Sequence, residues 1–211
     1  MSKRLNFANK EEYRQRLGKL YIFVCVAFYI LCNAAKSVFT AETRYIIEIW
    51  TLTQAQVQLA NTFYYITYAA VQVLLFIFMT KINIKIYTFI MIPISAVVYM
   101  IMGLATRIEM IWVLFGLAGI FQSSMFCSTN YLLTKHLPSK LLPTANKWIA
   151  AGYAIGTALS YVVSAPFVGL NLWRVPYFLT SGLVLLFTAI LIYETRLISR
   201  FDNINKRLDK K

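Results

Sequence analysis

Lys36 is the side chain in this sequence that points most directly to a functional site, because it is a charged group inside an apolar stretch over residues 20–39. The spacings from Tyr29 to Asn33 and from Asn33 to Lys36 are four and three residues, so the three side chains share one helix face. A phenol, an amide and an ammonium on one face can together bind a small anion. Tyr29, Asn33 and Lys36 are therefore the first candidate binding residues.

Six apolar segments follow one another along the chain, and Lys36 is the only Lys, Arg, His, Asp or Glu inside any of them. A charge at the centre of a membrane costs about 2.5 kcal/mol or more, so it usually serves a function or extends to the membrane surface. Lys36 lies close to the end of its segment. Both interpretations, a group that lines a solute pathway and a lysine that snorkels to the interface, remain open on sequence alone.

The composition indicates a membrane protein. Of the 211 residues, 59% are hydrophobic and 14% are charged, against about 25% charged in soluble domains. Apolar runs of about 18 residues or more can each cross a hydrocarbon core of about 30 Å. Backbone polar groups in a bilayer must be satisfied within the segment, so we expect helices. No small-residue cleavage site follows the first run, which we therefore expect to be retained.

These runs predict an all-α membrane protein with six transmembrane helices, over 20–39, 57–79, 86–105, 110–134, 148–168 and 175–193. The predicted organisation is a basic amino-terminal segment over 1–19, a six-helix bundle over 20–193 and a charged tail or linker over 194–211.

The basic residues are distributed very unevenly between the two sides of this bundle. Of the 21 Lys and Arg residues, all but Lys36, Arg44, Arg107 and Arg174 fall on one side. The positive-inside rule assigns that side to the cytoplasm, so both termini are predicted to be cytoplasmic in a multi-pass protein of the cell membrane. The net charge of +13 is explained by this orientation and by anionic headgroups, without a nucleic acid partner.

Polar residues also recur at helical spacing on three other segments. The further candidate binding residues are Tyr65, Tyr68 and Gln72 on the second segment and Gln122 on the fourth. A fifth-segment face carries Tyr153, Thr157, Ser160 and Ser164. Four helices with polar faces predict a cavity between them. The alternative is that these groups form hydrogen bonds between helices, each worth about 0.6–2 kcal/mol.

Other kinds of site are not indicated by the sequence. No Asp or Glu lies inside the six segments, and the three cysteines, Cys25, Cys32 and Cys127, fall in apolar segments without metal-ligand spacing. No phosphate-binding loop, dinucleotide fingerprint or nucleophile elbow is present. We therefore expect no metal, no cofactor and no enzymatic activity, and we expect the cysteines to be buried.

Several segments resemble the amino-terminal half of a major facilitator superfamily transporter, over about residues 18–195. The sequence FGLAGIFQ at 115–122 is similar to the fourth helix of that family, and Trp173-Arg174 is similar to the entry into the sixth. The resemblance implies one six-helix bundle of a twelve-helix arrangement, with the solute bound between two halves near the membrane midplane. The second half is expected to be a separate chain or a second copy.

Within the superfamily, a weaker resemblance is to the organophosphate:phosphate antiporters. It is carried by YYITYAAVQ at 64–72 and by KSVF at 36–39, which aligns with Arg-Lys-Asn-Phe in those proteins. Lys36 then corresponds to their phosphate-binding Arg. Two departures are the turn TKINIK at 80–85, which lacks the family's Asp, and Gln72, which stands where the antiporters have Lys.

The resulting hypothesis is half of a secondary transporter that moves a small anionic organic solute by alternating access. The alternatives are a six-helix substrate-capture subunit of an ATP-driven vitamin importer, and a fragment that does not transport.

Overall fold

The computed structural model describes residues 2–78 and 83–208, and the side chains of 14–78 and 83–200. All regular structure in this part of the chain is helical. The helices are α1 (Ser2–Ala41), α2 (Thr43–Trp50), α3 (Gln54–Phe78), α4 (Ile84–Met102), α5 (Ile108–Gln122), α6 (Met125–His136), α7 (Leu142–Gly169) and α8 (Val175–Leu208), with a short 3-10 helix (Ser139–Leu141) before α7.

Six stretches of the described chain are long and apolar enough to cross a membrane, as the sequence predicts. They correspond to α1 with α2, α3, α4, α5 with α6, the 3-10 helix with α7, and α8. The predicted all-α membrane fold is confirmed. The orientation of the termini stays a prediction.

The predicted fourth span, 110–134, is divided into two helices by a turn at Ser123 and Ser124. The hydroxyl of Ser123 donates a hydrogen bond to the carbonyl of Ile120 at 2.9 Å. Serine side chains that bond to the preceding turn compete with the helical backbone pattern, which favours an interruption here. The periodicity of the apolar residues continues across the turn, so the sequence pattern did not reveal it.

The predicted loop over 40–56 is also more ordered than expected, because α1 extends to Ala41 and α2 follows it. Glu42, at the junction, is only 1% exposed, and neither carboxyl oxygen has a hydrogen-bond partner. Ser164 and Tyr177 lie beside it. Glu42, which the sequence places in a predicted loop outside the six apolar segments, is therefore buried within the bundle. The reason is that the first spanning segment is longer than its apolar run.

The two predicted domain boundaries fall inside continuous helices. α1 begins at Ser2 and passes through position 19, and α8 passes through position 194 and continues to Leu208. The division into terminal segments and bundle stays a prediction.

The first spanning segment is the centre of the bundle. α1 packs against α7, α8 and α6, while α3 packs mainly against α5, and α4 packs against α5 and α8. The most apolar window of the α1–α2 segment is 83% buried, whereas the corresponding windows of α3 and α7 are 6% and 28% buried. α3 and α7 are therefore the two least covered spanning helices of the described chain.

The contact between α1 and α7 depends on two glycines one helical turn apart. A Cβ atom added at Gly156 would lie 2.5 Å from the carbonyl oxygen of Ile30 and 2.8 Å from Cβ of Asn33. At Gly152 it would lie 2.9 Å from the ring of Tyr29. Small residues at such positions let helix backbones approach closely in a membrane. The backbone of α7 is thus pressed against the helix that carries Lys36.

We expect Gly156→Ala to lower the free energy of unfolding by about 1–3 kcal/mol, because the added methyl group meets backbone atoms that cannot easily move. The measurement is thermal unfolding of the purified chain in detergent. The matched control is Gly182→Ala in α8, where no atom lies within 4 Å of an added Cβ and the change favours the helix. Equal stability of the two variants would contradict the close α1–α7 contact.

Candidate functional site

The ammonium of Lys36 lies inside the bundle, among tyrosines of two other helices. Its Nζ donates a hydrogen bond to the hydroxyl of Tyr65 at 3.0 Å. The same Nζ is 4.7 Å from the ring centroid of Tyr64, 4.6 Å from that of Tyr65 and 5.5 Å from that of Tyr153. We call these three residues, Tyr64, Tyr65 and Tyr153, the tyrosine collar. It joins α1 to α3 and α7.

The side chain of Lys36 leans away from the end of its helix. Gly152, the neighbour of Tyr153, packs against Tyr29 and Ile30, which precede Lys36 by roughly two helical turns. An ammonium close to the Tyr153 ring has therefore turned toward the start of α1, the direction in which helical side chains point. A snorkelling lysine would extend the opposite way, toward the nearer end of its apolar segment. Whether Lys36 lines a solute pathway stays a prediction.

The charge of Lys36 is stabilised by aromatic rings rather than by a carboxylate. Lys36 is 8% exposed, and the described side chains around it offer no ion-pair partner. A cation over an aromatic face gains about 0.5–2 kcal/mol, which only partly offsets the cost of removing an ammonium from water. One of its three N–H groups is bonded to Tyr65. Its other two N–H groups have no hydrogen-bond acceptor among the described residues.

The collar is open on one side. Tyr65 is 51% exposed and Tyr153 is 47% exposed, whereas Tyr64 is buried. The two exposed tyrosines belong to α3 and α7, the least covered helices.

The buried member of the collar is held by Gln122. The Oε1 atom of Gln122 accepts hydrogen bonds from the hydroxyls of Tyr64 at 2.9 Å and Tyr99 at 2.6 Å. Its Nε2 donates to the carbonyl of Cys32 at 3.0 Å and contacts the sulfur of Met125 at 3.6 Å. One amide thus connects α1, α3, α4 and α6 at the helix interruption. Gln122 is 1% exposed, so it acts on the site by positioning Tyr64.

The other predicted binding residues lie at different distances from the collar. Asn33 and Tyr29 are buried, with the amide of Asn33 donating to the carbonyl of Tyr29 at 2.8 Å. Tyr68 stacks on Tyr64 with ring centroids 5.7 Å apart. Gln72 lies farther along α3 and lines a separate cavity. The structure brings Lys36 and Tyr65 into contact, and the roles of all seven as solute ligands stay predictions.

Tyr64 and Tyr153 are not among the binding residues predicted from the sequence. Tyr153 lies on the predicted polar face of the fifth segment, so the sequence did contain a signal for it. Tyr64 is turned about 100° from Tyr65 around the helix, but it precedes Tyr68 by four residues, so the helical spacing was also a signal for it. Its contact with Gln122 on another helix identifies its position in the structure. Among the described residues, no group of three His, Cys, Asp or Glu could hold a metal ion.

We expect Gln122→Leu to destabilise the bundle strongly, because it removes the acceptor of two buried tyrosine hydroxyls, each loss costing about 1–3 kcal/mol. Tyr99→Phe removes only one of the donors and should have a clearly smaller effect. Both are measured by thermal unfolding in detergent. If the Gln122→Leu variant is as stable as the Tyr99→Phe variant, the positioning role assigned to Gln122 is contradicted.

Known proteins resemble this chain both in sequence family and in fold. The family described as the Major Facilitator Superfamily matches residues 21–207. Among solved structures, the chain is similar to a bacterial homologue of the human lysosomal transporter Spinster, crystallised in an inward-facing and occupied conformation. That match has a TM-score of 0.70 and 16% sequence identity. No curated protein sequence matches the chain.

The structural match covers 84% of this chain but 44% of the other protein, so this chain spans less than half of that protein's length. At this identity the likeness is one of fold. It is consistent with the predicted six-helix half, and the alternative of a capture subunit for an ATP-driven importer is not favoured. The narrower resemblance to the antiporters stays a prediction.

Proposed function

Since this chain belongs to the major facilitator superfamily, a family of multi-pass membrane transporters, we propose that it is the amino-terminal half of a secondary transporter for a small anionic organic solute. The observation that carries the proposal is the ammonium of Lys36, which lies inside the bundle without a carboxylate partner among the described residues.

An anionic solute fits this site for electrostatic reasons. A cation held in a low-dielectric environment attracts an anion more strongly than the same cation in water. Lys36 supplies the charge, while the hydroxyls of Tyr65 and Tyr153 offer hydrogen bonds at the open side of the collar. A carboxylate or phosphate oxygen can accept from both kinds of donor. The roles of the remaining predicted ligands, Tyr29, Asn33, Tyr68, Gln72 and Gln122, stay predictions, although Gln72 lines a separate cavity and Gln122 is buried.

The second part of the proposal concerns a partner. The exposed faces of α3 and α7 carry large apolar side chains, among them Ile66, Val73 and Val162. These helices also carry Tyr65 and Tyr153, so a second six-helix half that covers them would enclose the solute at the collar. Rocking of one half against the other would then open the site to either side in turn.

The location and the coupling follow the sequence predictions. We propose the cell membrane with both termini in the cytoplasm, because the Lys and Arg residues are concentrated on one side. Antiport, the exchange of one anion for another, is the coupling that the antiporter resemblance implies.

We expect Lys36→Ala to weaken binding of inorganic phosphate and glucose 6-phosphate, the two probes, by about tenfold or more. A hydrogen bond to a charged group contributes about 1.5–3 kcal/mol, and about 1.4 kcal/mol is a factor of ten in Kd. Lys36→Arg keeps the charge and should retain part of the affinity. Tyr65→Phe removes one hydroxyl and should weaken binding by a smaller factor. The measurement is calorimetric titration of the purified chain.

The matched control is Lys135→Ala. Lys135 also contacts a tyrosine, with its Nζ 3.1 Å from the hydroxyl of Tyr131 and 5.3 Å from the ring centroid, but this pair is exposed on one helix. Its removal should leave anion binding unchanged. Unchanged binding in Lys36→Ala, or an equal loss in Lys135→Ala, would remove the support for an anion site at the collar.

A further inference from the structure

A groove lies between α1 and the first turns of α7, and we call it the α1–α7 groove. Its volume is about 360 Å³, within the range of about 300–1,000 Å³ that is usual for ligand pockets. One side chain of α7, Trp148, lines it. The α1 side is lined by Lys19, Ile22, Phe23, Val26, Ala27 and Ile30.

The groove and the tyrosine collar lie on opposite sides of the α1–α7 pair. Ala27 precedes Lys36 by nine residues, which turns it about 180° from Lys36 around α1. Trp148 precedes Tyr153 by five residues, which turns it about 140° from Tyr153 around α7. The close contact of the two helices at Gly152 separates these directions. An occupant of the groove is therefore distinct from a solute at the collar.

The lining combines one charge with an apolar length of one membrane leaflet. Among the described residues that line the groove, Lys19 alone is charged, and it is exposed. From Lys19 to Ile30 the helix rises about 16 Å, which is close to half of a hydrocarbon core of about 30 Å. Val26 is buried at the floor of the groove, whereas Phe23 and Trp148 are exposed at its rim.

Lys19 and Trp148 stand where the membrane surface is expected. Lys19 directly precedes the first apolar run, and Trp148 is the first residue of the fifth. Tryptophan is enriched at the membrane–water interface. Because helical side chains point toward the start of the helix, the stem of Lys19 lies along the groove and its ammonium extends to the headgroups.

The predicted orientation defines which lipids meet this end of the groove. It lies on the side with the excess of Lys and Arg, which is the predicted cytoplasmic side. The cytoplasmic leaflet contains the anionic lipids, and basic pockets between membrane helices on that side bind their headgroups. An ammonium at headgroup level with an apolar groove beneath it is complementary in charge and length to such a lipid.

We propose that the α1–α7 groove binds one anionic phospholipid of the cytoplasmic leaflet. The ammonium of Lys19 binds the lipid phosphate. One acyl chain lies over Val26 and Ile30, between the rings of Phe23 and Trp148. This lipid is a bound component of the bundle and not the transported solute, so the inference does not rest on the proposed function of the collar.

The experiment measures how brominated lipids quench the fluorescence of Trp148 in nanodiscs of phosphatidylcholine. The Trp148 signal is the difference between the original chain and the Trp148→Phe variant. Dibrominated phosphatidylglycerol or dibrominated phosphatidylcholine is included over a range of low mole fractions. The anionic lipid should reach half-maximal quenching at an about fivefold lower mole fraction, the ratio expected for one lysine at a membrane surface.

Three variants, each compared with its own Trp148→Phe partner, separate the groove from a general attraction of anionic lipids. Lys19→Ala should remove the preference for the anionic lipid. Lys135→Ala, which removes an exposed lysine of α6, should keep it. Ala27→Leu narrows the groove but keeps the charge, so it should also reduce the preference. Unchanged Trp148 emission without brominated lipid shows that each variant keeps its fold.

Lys36→Ala should leave the quenching unchanged, so a failure of this inference is distinguishable from a failure of the anion site. Equal quenching by the two lipids in the original chain would overturn the inference. So would a preference that survives Lys19→Ala or Ala27→Leu, or one that Lys135→Ala removes equally well. A Trp148 signal that neither lipid quenches would show that protein covers the groove, which would also overturn it.

Discussion

The carboxamide of Gln122 is the interaction on which the arrangement of the site depends. It accepts from Tyr64 and Tyr99 and donates to the carbonyl of Cys32, so one buried group fixes three helices relative to one another. Because Tyr64 is held in this way, its ring presents a fixed face to the ammonium of Lys36. A membrane bundle gains little from apolar contacts between helices, so such polar connections and close backbone contacts determine its packing.

The bundle is therefore closely packed on one side and little covered on the other. α1 is surrounded by its neighbours and pressed against α7 at Gly156, while α3 and the outer face of α7 are largely uncovered. The collar lies where these two regions meet, with Tyr64 on the covered side and Tyr65 and Tyr153 on the open side. Under the proposed function, this position at the edge of an open surface would allow Lys36 to bind a solute between two halves of a transporter.

The six spans and the helix face of Lys36 could be predicted because they depend only on apolar length and on the helical period. The direction of the Lys36 side chain could not be predicted, because it is defined by the contact of its ammonium with Tyr153 in a distant segment. Periodicity places Gln122 on a polar face but cannot say whether that face meets a solute or three other helices. Glu42 and Cys127 were misjudged for a related reason: a longer first segment buries one, and an interrupted fourth segment exposes the other.

The most direct test of the central claim is the NMR signal of the Lys36 ε-methylene group in a chain with isotope-labelled lysine, assigned with Lys36→Arg. Ring currents of the collar should shift this signal upfield of the signals of exposed lysines. Added glucose 6-phosphate should move it while the signal of Lys135 stays in place. A Lys36 signal at the position of an exposed lysine, unchanged by the anion, would contradict both the geometry and the function proposed for this site.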